Sequence, residues 1–149
     1  MKDFDLEFFQ EIIEFHGIDL MKELITIMEY KFLKTNEILF QKKDIANYCY
    51  VLLEGKIGCF MSDIKVIQRR LKRKVKRKKA TTHDLDNKMR NIMEISEYSK
   101  GEIIAEFAIL SDGLEKHTLT SISKEDCHLL CFEKNSYRNV VRMFFIKIL

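Results

Sequence analysis

Residues 47–61, NYCYVLLEGKIGCFM, restrict the fold more than any other stretch. Two runs of aromatic, β-branched and aliphatic residues meet at Glu54-Gly55, a pair that suits the tight turn of an antiparallel hairpin. Residues 30–41, YKFLKTNEILFQ, read as two shorter strands around a turn at Thr35-Asn36, where asparagine tolerates the left-handed conformation. Residues 91–96, 118–123 and 127–132 are further strand candidates. Short strands at these intervals predict an antiparallel sandwich or roll and not alternating βαβ units.

The hydrophobic period changes at both ends of the chain. Residues 5–15 place Leu6, Phe9, Ile12 and Ile13 at helical spacing, and Gly17 interrupts the pattern. It resumes over residues 19–30, with Asp19 as N-cap and Leu20, Leu24, Ile27 and Met28 on one face. Residues 135–149 predict a last helix, capped by Asn135 or Ser136, whose Phe144, Phe145, Ile146 and Ile148 fit packing against a further element. The expected fold class is therefore α+β, mainly β: an antiparallel β-roll or jelly roll flanked by N-terminal and C-terminal helices. At 149 residues, the chain suits a single domain over 1–149.

Apolar residues make up 46% of the chain, enough for a core without metals or disulfides. Cys49, Cys59, Cys127 and Cys131 lie in apolar, strand-like contexts and form no C-x-x-C, so buried free thiols in a reducing compartment are expected. The start, MKDFDLEFFQ, mixes acids with aromatics and lacks the marks of a signal peptide, and no run of about 18 apolar residues occurs. A cytoplasmic location is the expectation. His16, His83, His117 and His128 stand in unrelated contexts that suggest neither a triad nor a metal cluster. The chain reads as a non-enzyme with no cofactor and no metal.

A net charge of +3 conceals a strong asymmetry. Residues 65–79, KVIQRRLKRKVKRKK, hold ten lysines and arginines and no acid, while acids outnumber bases by seven elsewhere. Arg69, Arg70, Lys72, Arg73 and Lys74, with Lys76, Arg77, Lys78 and Lys79, make a basic patch. It belongs to a segment, 62–91, expected to be a flexible insertion between strands. Such charge fits an acidic protein surface, anionic lipid or non-specific nucleic acid. No interleaved aromatic supports base-specific reading.

Residues 100–118, KGEIIAEFAILSDGLEKHT, look suited to an anion. Gly101 permits a tight entry, and residues 103–110 predict a helix of about two turns whose first turn presents unpaired N–H groups. Glu106 in that turn suits the helix dipole and can accept hydrogen bonds from sugar hydroxyls. Spacing alone leaves open that Glu106 only stabilises the helix start.

The segment resembles the phosphate-binding cassette of cyclic-nucleotide-binding domains, roughly G-E-x-A-L-L, a short loop, then R-x-A-T. Residues 50–55 match the Y-V-[IL]-L-x-G of that family, and residues 127–141 resemble its last strand and following helix. The resemblance implies a site for cAMP or cGMP built from Gly101, Ile104, Ala105, Glu106, Phe107 and Ala108. Glu106 would take the ribose 2′-hydroxyl, and the Ala108 amide would face the phosphate. Ala105 stands where the family has glycine, and Leu114 where it has proline. The phosphate-pairing arginine falls at Glu115, so the phosphate grip is expected to be weakened. Lys116 and His117 are the neighbours able to supply positive charge, and Thr118 opens the next strand. The chain reaches Leu149 where the family adds a lid helix.

The implied function is a regulatory cAMP or cGMP sensor module acting on an effector domain or subunit of a larger signalling protein, its site degenerate at Glu115. The second reading is a structural or protein-interaction domain that kept the roll and lost the ligand, its basic loop contacting an acidic partner.

Overall fold

The computed structural model describes residues 7–61, 69 and 94–148. Helix α1 (Glu7–Ile27) leads into β1 (Glu29–Leu33), β2 (Ile38–Phe40) and the hairpin β3 (Tyr48–Glu54) and β4 (Ile57–Phe60). Strands β5 (Glu94–Tyr98) and β6 (Ile103–Ile104) precede the short helix α2 (Glu106–Leu110). Strands β7 (Thr120–Ser123) and β8 (Cys127–Glu133) then lead to α3 (Lys134–Ile148). Among the described residues the strands form two four-stranded antiparallel sheets, ordered β1-β8-β3-β6 and β2-β7-β4-β5. This is the expected roll with helices at both ends.

Side chains alternate across a strand, so β3 and β8 divide their residues between two cores. Tyr50 and Leu52 face the second sheet with Leu129 and Cys131, joined by Leu33, Ile57 and Ile104. Cys49 and Val51 face the other way with Phe132, against Phe9, Ile12, Leu20 and Leu24 of α1 and Ile109 of α2. Tyr137 and Val140 of α3 complete that layer. Burial on both faces explains why residues 49–53 read as a continuous apolar run. All four cysteines are buried free thiols.

Strand β7 has a polar sequence, TSIS, yet every residue is buried. Its hydroxyls satisfy neighbouring groups, which removes the cost of burying them. Ser123 Oγ donates to the Lys34 carbonyl and accepts from the Glu37 amide, while Thr120 Oγ1 accepts from the Lys42 amide at 3.1 Å. Ser121 Oγ lies 2.9 Å from Cys59 Sγ.

Gly17 takes a left-handed φ of 82° and kinks α1, where the sequence pattern breaks. Asn36 has φ 68°, which fits the turn expected at Thr35-Asn36. Helix α3 corrects its expected start. It begins at Lys134, and Glu133 supplies the cap, its carboxylate accepting from the Ser136 amide (2.8 Å) and hydroxyl (2.9 Å). Of the expected strand at 91–96, residues 94–96 fall in β5 (Glu94–Tyr98), and residues 91–93 lie outside the described residues. Apart from Arg69, which is exposed, the basic patch and the 62–91 segment up to residue 91 lie outside the described residues. So do the side chains of Phe144, Phe145, Ile146 and Ile148. No described helix is long and apolar enough to cross a membrane.

Gly55 closes the hairpin with φ +100°, and a Cβ there would meet the Asp126 carbonyl oxygen and Cys127 Sγ, each at 2.6 Å. Backbone strain and overpacking then act together. Gly55→Ala is expected to cost about 2–4 kcal/mol in urea unfolding. An unchanged midpoint would contradict this turn geometry.

Candidate functional site

The approach to α2 differs from the sequence expectation of a helix over 103–110. Ile103 pairs with Val51 and Ile104 with Tyr50, so both are strand residues, and Ile104 is wholly buried in the intersheet core. Two β-branched residues find a strand partner here, and a left-handed Ala105 (φ 64°, ψ 31°) separates them from the helix. A side chain in that conformation is strained by roughly 1–2 kcal/mol, which gives a backbone reason for the glycine that the resemblance expects there. Helix α2 buries Ala108 and Ile109 and exposes Phe107 and Leu110. The Ala108 amide, expected to face a phosphate, donates to the Ala105 carbonyl at 3.2 Å.

After α2 the chain makes a loop, residues 111–118, that is tied in three directions. Within it, Ser111 Oγ donates to Glu115 Oε1 at 2.9 Å and accepts from the Gly113 amide at 3.2 Å. Toward the β2–β3 connection, the Ala46 amide donates to the Glu115 carbonyl (2.8 Å) and the His117 amide to the Asp44 carbonyl (2.9 Å). The Lys43 amide returns a bond to the His117 carbonyl at 2.7 Å. Toward α3, Lys134 Nζ donates to the Gly113 carbonyl at 2.7 Å, and Arg138 donates to the Ser111 carbonyl and pairs with Asp112. Lys134 is buried, and among the described residues no carboxylate lies within ion-pair distance of its ammonium. A carbonyl thus satisfies a charge that α3 carries into the interior.

Between α2 and this loop lies a cavity of about 420 Å³, within the range of small-molecule sites. Ala105, Phe107 and Ala108 form one wall, and Glu115, Lys116, His117 and Thr118 form the other. Ala46 and Ser111, which the sequence did not single out as site residues, complete the lining. Three expected residues lie elsewhere. Gly101 serves a turn (φ 91°), its amide donating to the Leu52 carbonyl, and Ile104 is core. Glu106 is exposed at the start of α2 and outside the cavity lining. Burial pushes the Cys49 thiol up to about 12 and raises the Tyr137 phenol, and the Glu106 charge adds to both.

His117 is half-buried and lies face to face on Phe40, with ring centroids 3.6 Å apart and planes 9° from parallel. Phe40 in turn stacks with Tyr50 at 6.2 Å, and Tyr50 with Tyr48 at 6.3 Å. Burial holds the imidazole below the ordinary histidine value, with Asp44 acting against it. No sequence signal joined Phe40 to His117; their contact comes from β2 and the β7 approach meeting in one sheet. Among the described residues no group of three or more His, Cys, Asp or Glu is placed to hold a metal.

The sequence matches no protein-family model and no curated protein sequence. Solved structures do match. A cyclic nucleotide-binding-like protein from Brucella abortus superposes with a TM-score of 0.65 at 13% identity, covering 94% of this chain and 99% of its own. The regulatory domain of Toxoplasma gondii PKA with cAMP gives 0.63 at 12%, covering 93% and 45%. The C-linker/CNBHD of zELK channels gives 0.61 at 14%, covering 95% and 71%. The chain has the fold of cyclic-nucleotide-binding domains.

The three-way tie predicts a local weakness on mutation. Lys134→Met removes the donor to Gly113 and, with a charged hydrogen bond at stake, should speed amide hydrogen exchange at Gly113 and His117 by roughly tenfold or more. Exchange at Val51 and Leu129 should stay the same. Unchanged exchange in the loop would show that the clamp contributes nothing to its order.

Proposed function

We propose that this chain is a regulatory, non-enzymatic module that takes a cyclic nucleotide weakly in the cavity between α2 and residues 111–118. The cavity carries the reading: its position between the short helix and the following loop is where the resemblance locates cAMP or cGMP, and seven of ten expected site residues line it. Similarity to a regulatory domain crystallised with cAMP supports the ligand class. Ligand occupancy would act on an effector domain or subunit by shifting the population of loop and α3 arrangements joined through Lys134 and Arg138. A cytoplasmic setting and an acidic-protein, anionic-lipid or nucleic-acid contact for the basic run at 65–79 belong to the same proposal.

Weak binding follows from Glu115. A carboxylate on the wall offers no donor to a phosphate and repels it, whereas an arginine there would add charged hydrogen bonds of about 1.5–3 kcal/mol each. The specific observation that favours the second reading, an interaction domain without ligand, is that Ser111, Lys134 and Arg138 hold the loop together without one.

Calorimetric titration with cAMP and cGMP at low salt separates the two. Saturable binding of either, tightened about tenfold or more by Glu115→Arg, is the expected result. Flat traces for both nucleotides, in the wild type and the variant alike, would leave the interaction domain.

A further inference from the structure

We propose that His117 is the proton-dependent cation of this cavity, so that binding of a phosphate anion takes up a proton and strengthens as the pH falls. The inference rests on the reading that the cavity accepts a phosphate-bearing ligand.

The geometry points to His117 by elimination along the walls. The α2 side offers Ala105, Phe107 and Ala108, none of which titrates. On the loop side, Glu115 is an anion and Lys116 an exposed ammonium on a flexible stem. From the β2–β3 connection, Lys42 is directed to the Met61 carbonyl, Lys43 is exposed, and Asp44 is the neighbour whose charge favours a protonated imidazole. His117 alone joins a titratable ring, a fixed position and a place on the wall. Its position is fixed twice: the backbone is bonded on both sides to residues 43 and 44, and one ring face is covered by Phe40.

The face-on Phe40 ring also suits an imidazolium, because the aromatic face is its negative side. What opposes the charge is burial, which outweighs Asp44 and holds the imidazole below its ordinary value. A phosphate group beside it supplies the missing counter-charge. By reciprocity, whatever the anion adds to imidazolium stability the proton adds to anion affinity. The sign follows: a lowered histidine value means that protonation, and hence the gain in affinity, comes at mildly acidic pH.

The test measures affinity for cAMP and for inorganic phosphate at pH 5.5 and 7.5, in the wild type and in His117→Phe, which keeps a ring on Phe40 and loses the proton. His117 is also titrated by NMR with and without cAMP in the wild type, a readout that needs no variant. The expectation is binding roughly tenfold or more tighter at pH 5.5, loss of that dependence in His117→Phe, and a His117 titration moved to higher pH by ligand. If inorganic phosphate behaves as cAMP does after the variant's own pH dependence is subtracted, the phosphate group itself is the ligand. If only cAMP does, the phosphate is read within a nucleotide. Equal affinity at both pH values with an unmoved His117 would overturn the role of His117 and leave the cavity reading standing. No binding of either probe at either pH would overturn both.

Discussion

Tyr50 and Leu52 point between the two sheets, while Cys49 and Val51, their neighbours on β3, point into the helix layer. On β8, Leu129 and Cys131 take the first side and Phe132 the second. Each such side chain contributes roughly 1.5–3 kcal/mol of burial, so a handful of them matches the net stability of an ordinary domain. This pair of strands fixes the rest. The second sheet closes one core, α1 and α3 close the other, and Ile103-Ile104 adds an edge to β3 that sets where α2 begins. The cavity then forms where α2 leaves the sheet and the chain returns along the β2–β3 connection.

The site that results has a mixed character. Its frame is intact: a left-handed residue ahead of a short helix, a loop closed by backbone pairing, and a volume suited to a small molecule. Its charge is not that of a strong anion site. Glu115 on the wall is drawn to Ser111, and the buried or half-buried cations Lys134 and Arg138 are spent on loop carbonyls and Asp112. The loop therefore gains from its own side chains part of the order that a bound anion could provide, which lowers the ordering cost of binding and the ligand's hold over the loop together.

Much of this was legible in the sequence where local chemistry and tertiary position agree. Glu54-Gly55 marks a turn whose φ demands glycine, Asn36 occupies the left-handed position that asparagine tolerates, and Gly17 breaks a helical stripe where the backbone kinks. Legibility ended where the decisive partner is distant in sequence. Ile103-Ile104 continues a helical pattern but becomes a strand because β3 offers an edge. Residues 118–123 read as a strand, but nothing local shows that the hydroxyls of β7 are buried and bonded to the backbone of Lys34, Glu37 and Lys42. Lys134 gives no sign of reaching Gly113, nor His117 of lying on Phe40, since neither contact follows a periodicity. Glu106 shows the reverse: a residue that fits a motif by spacing sits outside the cavity wall once α2 is placed.

The central claim is that the cavity beside α2 receives a phosphate-bearing ligand. Amide chemical-shift mapping of the uniformly labelled wild type with millimolar cAMP tests it most directly, because weak binding still moves resonances. The account predicts saturable shifts concentrated in residues 105–108 and 111–118 and at Ala46. Shifts absent at millimolar cAMP, or confined to the outer faces of the sheets, would contradict it.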